Sequence, residues 1–175
     1  LGGTPRFRGP FGLGNALVQN IAPGCTMVLN RPAIDLLLRG TPEGIPVHDW
    51  WVYLVISTFG EVVFDPTPTA LYRQHGRNTI GAQPKSLAHW WYRLRRFLRR
   101  REGLFAADIQ ARELLRLYGD LLSDAQRLLV TRFLNRHDSF PDRLRLVFGA
   151  EVFRQGVLDT WVLKALILFG LTGRS

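Results

Sequence analysis

Two short stretches gather the side chains best suited to chemistry: Pro46-Val47-His48-Asp49-Trp50-Trp51 and Leu71-Tyr72-Arg73-Gln74-His75-Gly76-Arg77-Asn78. Asp49 stands at the head of an apolar run, where the free N–H groups and dipole of a helix start hold a carboxylate ionised and aimed. Those are the requirements of a general base, which takes a proton from an attacking hydroxyl. The plainer role for the same residue is helix N-capping without chemistry. Arg73, Gln74, Arg77 and Asn78 put several donors into a strand end and the loop after it, with Gly76 letting the backbone turn. Such a set can hold the oxygens of a diphosphate and neutralise charge that develops on them. A polar loop bonded to itself is the alternative. His75 could complete a Mg2+ or Mn2+ site whose other ligands lie elsewhere, and imidazole suits Mn2+ better than Mg2+.

Taken with Gly24-Cys25-Thr26-Met27 and Asn30-Arg31, these stretches resemble family 2 glycosyltransferases, and among them the rhamnosyltransferase-like branch with its HDWW and YRQHGxN signatures. The resemblance covers roughly residues 15 to 82 closely and the rest in general character. It implies an α/β chain: the acceptor-side, C-terminal half of a GT-A domain over residues 1–82, then a mostly helical extension over residues 83–175. The implied reaction is inverting transfer of a sugar from a nucleotide-diphosphate donor, such as dTDP-rhamnose, to a glycan or lipid-linked acceptor. Asp49 occupies the position of the family's catalytic base, and His48 stands where the family usually has another acid. His48, Trp50, Trp51, Arg73, Gln74, Arg77 and Asn78 then become donor-phosphate or acceptor-binding residues, and His75 a metal ligand. For the two tryptophans, core packing competes with a wall on which a sugar face stacks. The family holds Mg2+ or Mn2+ with an Asp-x-Asp motif, and none occurs in these 175 residues. The metal is therefore assigned to the parent enzyme, with none expected tightly bound here, and this piece is expected to be inactive alone.

Several elements must position these groups. Cys25 to Asn30, short and partly β-branched, predicts a buried strand. Arg31-Pro32 opens a short helix through Leu38, and Val47 to Phe59 predicts a buried helix closed by Gly60. Glu61 to Phe64 and Thr69 to Arg73 read as strands separated by the turn Asp65-Pro66-Thr67-Pro68. From Pro84 onward helical periodicity takes over, with N-caps at Ser86, Ser123 and Ser139, the latter two followed by Gln126 and Asp142 in capping-box spacing. The glycine-rich residues 1–14 suit a poorly ordered entry loop, and Gly12-Leu13-Gly14 lacks the context of a dinucleotide-binding turn.

Composition sets the outer bounds. With 46% hydrophobic residues the chain can bury a real core, and 23 Lys+Arg against 14 Asp+Glu give a formal charge of +9. That balance, nearly all arginine, calls for an anionic partner. Leu87, Trp90, Trp91, Leu94, Phe97 and Leu98 recur at helical spacing among arginines up to Arg101, a pattern of a helix lying in a membrane interface or packed with a solvated basic face. Val157 to Leu171 is apolar but short for a membrane span and interrupted by charge, so it is expected to dock on protein or lie on lipid. No nucleic-acid module surrounds the basic residues, so nucleic acid is not expected as a partner. Cys25 is the lone cysteine, which excludes an internal disulfide. The start at Leu1 reads as a piece cut from a longer cytoplasmic protein, peripheral on the inner face of the cytoplasmic membrane. Apolar surface left by a missing half would favour a homodimer. The competing class is a non-catalytic membrane- or protein-binding module built on a degenerate scaffold.

Overall fold

The computed structural model describes residues 7, 9–67 and 101–172. Among them the chain forms seven α-helices and one 3-10 turn, and no strand. The expected α/β GT-A architecture is therefore overturned for the described residues, which are helical on both sides of residues 68–100. The helices are α1 (Leu13–Ala16), α2 (Arg31–Leu37), α3 (His48–Phe59), α4 (Arg101–Tyr118), α5 (Asp124–Asn135), α6 (Phe140–Phe148) and α7 (Val157–Leu168).

The two strand expectations that can be checked fail for a common reason: a strand needs a neighbour to complete its ladder. Gly24–Thr26 instead closes a 3-10 turn in which Thr26 Oγ1 donates to the Pro23 carbonyl at 2.8 Å, and Val28 is left 97% exposed. Residues 61–64 alternate in burial, with Val62 and Phe64 partly covered and Val63 exposed, but they form no strand. Phe64 packs edge-on against Phe7 at 5.3 Å. In the segment that follows, Thr67 N–H donates to Asp65 Oδ1 at 2.8 Å, which lowers the pKa of that carboxyl, and Pro68 lies outside the described residues. The Thr69–Arg73 strand and most of the Ser86–Arg101 helix lie outside the described residues.

The helix signals fared better because they are local. Asn30 caps α2 by accepting from Ala33 N–H at 3.0 Å, with Pro32 in the first turn. Ser123 and Gln126 form the reciprocal capping box of α5, and Ser139 accepts from Asp142 N–H at 3.3 Å to start α6. Gly60 ends α3, its N–H bonded to the Ile56 carbonyl. α4 was not bounded by the sequence, yet Ala107, Ala111, Leu114 and Tyr118 draw its fully buried stripe at spacings of three and four.

One core joins both parts of the chain. Leu17, Leu54 and Val55 from the first part share it with Leu114, Phe133, Leu146 and Leu163 from the second. Polar bonds tie the same parts together: Tyr118 Oη donates to the Leu36 carbonyl at 3.0 Å, and Gln126 Nε2 to the Thr58 carbonyl at 2.6 Å. α6 and α7 run antiparallel, with Lys164 Nζ bonded to the Gly149 carbonyl and Gly170 lying against Arg143.

The glycine-rich entry segment is not a loose loop where it is described. All of α1 is buried, and a Cβ at Gly14 would stand 1.6 Å from the Glu151 carbonyl oxygen. Glycine is there because another backbone passes against it. Gly14→Ala should therefore cost about 3 kcal/mol by forcing the backbones apart. Gly12→Ala, with nothing within 4 Å of the added methyl, should leave the thermal midpoint nearly unchanged. Paired melting curves of the two variants check this.

Tyr53 adds a pH dependence. Its hydroxyl donates to Asn15 Oδ1 at 2.7 Å, and burial pushes its pKa up to about 12. The neutral phenol is thus favoured by folding. Its contribution is complete below the unfolded value of about 10 and is lost as pH rises through 12, up to about 3 kcal/mol. Denaturant midpoints between pH 9 and about 12 should fall for the wild type and fall less steeply for Tyr53→Phe.

Candidate active site at the start of α3

The backbone of Val47 is extended and supplies no side-chain cap, so Asp49 sits inside the first turn of α3 rather than at its N-cap. Its carboxylate is held across the chain. Asn20 Nδ2 donates to Oδ1 at 2.9 Å, and Gly24 N–H donates to Oδ2 at 3.2 Å. Asn20 is itself fixed, because its Oδ1 accepts from Ala22 N–H at 3.0 Å. The turn over residues 20–26 thus closes onto the start of α3, and a Cβ at Gly24 would come within 3.2 Å of His48 Nε2. Two stretches of the sequence resemblance, Gly24 to Met27 and His48 to Trp51, are brought together at this point. Asp49 is half-buried, and His48 beside it is exposed. Among the described residues each carboxylate oxygen accepts one bond, which leaves a lone pair for an incoming hydroxyl.

Trp50 and Trp51 turn the other way. Trp50 is 9% exposed, with its Nε1 donating to the Ala16 carbonyl at 2.6 Å, and Trp51 is 4% exposed with its ring 6.1 Å from that of Tyr118. Both pack in the core, the role that the sequence left beside an acceptor-facing wall. Consecutive indoles of a helix point about 100° apart, so burying both fixes the rotation of α3 and with it the direction of Asp49. Asn30 and Arg31 also serve structure, one as the cap of α2 and the other in an i,i+4 pair with Asp35 at 2.9 Å. Arg73, Gln74, His75, Arg77 and Asn78 lie outside the described residues. Sequence reading missed Asn20, although an amide placed shortly before a Pro-Gly turn is a residue type that bonds across turns.

A second polar cluster, also missed, lies in the core between α4 and the end of α5. Asp108 Oδ1 pairs with Arg136 Nη1 at 2.6 Å, and its Oδ2 meets His137 Nε2 at 2.8 Å, with Asp108 and Arg136 both fully buried. The guanidinium lies 3.9 Å over the Phe133 ring. Burial lowers the Arg136 pKa, and Asp108 opposes that shift. No sequence motif marks this group, because its members are 28 and 29 residues apart and belong to different helices.

Among the described residues no three His, Cys, Asp or Glu side chains come together as metal ligands, and His75 lies outside them. Nor is any helix among them long and apolar enough to cross a membrane. In comparisons with known proteins, no family model, no curated protein and no solved structure matches the chain.

Proposed function

We propose that the chain is the acceptor-side portion of an inverting nucleotide-sugar transferase, resembling the rhamnosyltransferase branch of family 2, with Asp49 as general base. The observation that supports this reading is the setting of Asp49: a half-buried carboxylate in a helix first turn, with one N–H donor on each oxygen. Those donors fix its direction while leaving a lone pair on each oxygen for substrate. In the reaction, the acceptor hydroxyl gives its proton to Asp49 as its oxygen bonds the anomeric carbon. The bond from that carbon to the diphosphate breaks on the opposite face, and the electron pair leaves on the diphosphate oxygen. Arg73, Gln74, Arg77 and Asn78 are the proposed diphosphate contacts, and exposed His48 is the proposed acceptor contact. A glycan or lipid-linked acceptor and a nucleotide-activated deoxysugar donor complete the proposal. Nucleotide sugars are cytoplasmic metabolites, so the reaction belongs there.

One observation favours a second reading. The two bonds that aim Asp49 also staple the 20–26 turn to α3, as they would in a non-catalytic binding module on a degenerate scaffold. Sugar transfer and nucleotide binding, measured on the full open reading frame that contains this sequence, separate the two. Asp49→Asn should abolish most transfer and leave nucleotide binding intact. A wild-type rate in that variant ends the catalytic reading in favour of the staple.

A further inference from the structure

Buried polar groups nearly always find hydrogen-bond partners, and a buried charge whose donors lack them points to a bound water or ion. Arg136 is such a group. It is fully buried at the end of α5, where its Nη1 meets Asp108 Oδ1 at 2.6 Å and donates to the Phe133 carbonyl. One flat face of the guanidinium is covered by the Phe133 ring, 3.9 Å from it. There remains the edge formed by Nε and Nη2, and both atoms are buried with no hydrogen-bond partner among the described residues. Their N–H groups run parallel and make the fork with which arginine takes two oxygens of one carboxylate or phosphate. The same edge is filled elsewhere in the chain, where Arg116 gives Nε and Nη2 to the Glu113 carboxylate at 3.0 and 2.7 Å.

Arg132 stands four residues before Arg136, a spacing that puts both on one side of α5. It is part-exposed, and its Nε is likewise buried without a partner among the described residues. The charge of Arg112 reaches the cluster from α4: burial pushes the Arg136 pKa down, Asp108 holds it up, and Arg112 pushes it down again. Arg143 fixes the backbone that carries the cluster, donating to the Arg136 carbonyl at 2.6 Å and the His137 carbonyl at 2.8 Å.

We infer that the Nε–Nη2 edge of Arg136 seats a small oxyanion of the phosphate type, with Arg132 as its second donor. Charge selects an anion over water, because guanidinium groups of α4 and α5 gather here and Asp108 faces Arg136 on the Nη1 side. Burial sets the size. Arg136 is wholly enclosed, so entry is from the part-exposed Arg132 side and the ligand is a free ion rather than a phosphate carried on a macromolecule. Two oxygens of the ion satisfy the fork and a third meets Arg132, which fastens the end of α5 and makes the stability of the core depend on the ion. The inference stands apart from the reading of Asp49 and does not need it.

Thermal melting of the chain in inorganic phosphate tests it, against sodium chloride of the same ionic strength, which removes the effect of screening. Saturating phosphate should raise the midpoint by about 5 °C or more over chloride, and titration calorimetry should show one site per chain. Arg132→Gln, at a part-exposed position that spares the core, should weaken phosphate about tenfold, the scale of one charge-assisted hydrogen bond. Asp108→Leu with Arg136→Met, which keeps the core filled without the charges, should lose the response altogether. Equal wild-type midpoints in phosphate and chloride would overturn the inference and leave water as the partner of the fork. Wild-type phosphate affinity in either variant would overturn it equally, since the ion would then lie elsewhere.

Discussion

On the proposed reading, Asp49→Asn is expected to lower sugar-transfer turnover about a thousandfold, the scale on which a positioned general base contributes. Asparagine matches the shape of the carboxylate but cannot take a proton. It also sets an NH2 group against either Asn20 Nδ2 or Gly24 N–H, since one of the two bonds must then face a donor. That mismatch is worth about 1 to 3 kcal/mol of stability, so a melting curve belongs beside the rate measurement. Asn20→Ala separates the two effects. It removes the bond to Oδ1 and leaves the base chemically intact, so it should lower turnover far less than Asp49→Asn while destabilising to a similar degree. Equal rate losses in the two variants would mean that only the staple matters.

Asp108→Ala should be the most destabilising single change among the described residues, at about 3 to 5 kcal/mol, or a thermal midpoint lower by roughly 6 to 20 °C. The cause is not the lost ion pair as such. Arg136 is fully buried, with its Nε and Nη2 without hydrogen-bond partners among the described residues, and Asp108 is the carboxylate that faces it. Removing Asp108 leaves that guanidinium uncompensated and strips His137 of its partner. Changing both partners to apolar residues, Asp108→Leu with Arg136→Met, should recover most of the loss. If the double variant melts as low as the single one, the pair itself stabilises the fold and the burial argument fails.

What the sequence made legible was what neighbouring residues decide among themselves. Asn30, Ser123 and Ser139 announce helix starts because a cap and the N–H it accepts from lie three residues apart. The run from Val47 to Gly60 announces a helix because its apolar side chains are continuous and its stop is a glycine. The expected strands had no such self-sufficiency. Cys25 to Asn30 has the composition of a strand, and Val62 and Phe64 even keep the alternation, but a ladder needs a partner that no local pattern can promise. Position within the fold was equally hidden. That Asp49 would meet Asn20 and Gly24, 29 and 25 residues earlier, follows from the closure of the 20–26 turn and not from the HDWW motif. The same concealment covers Asp108 and Arg136, and the burial of Trp50 and Trp51 depended on which face α3 would turn to α1 and α4.

Gly14, Asn15 and Gln19 all engage the segment 151–155, through the close approach to Glu151 and bonds to the Phe153 carbonyl and the Gln155 N–H. Those partners are separated by 138 and 136 residues, so they meet late. During synthesis the first helix leaves the ribosome long before its counterpart exists, and Leu13, Leu17 and the α3 indoles spend that interval without their final cover. Long-range closure of this kind slows folding relative to a bundle of adjacent hairpins. Until residues 151–155 are made, that apolar surface stays open to association with other chains.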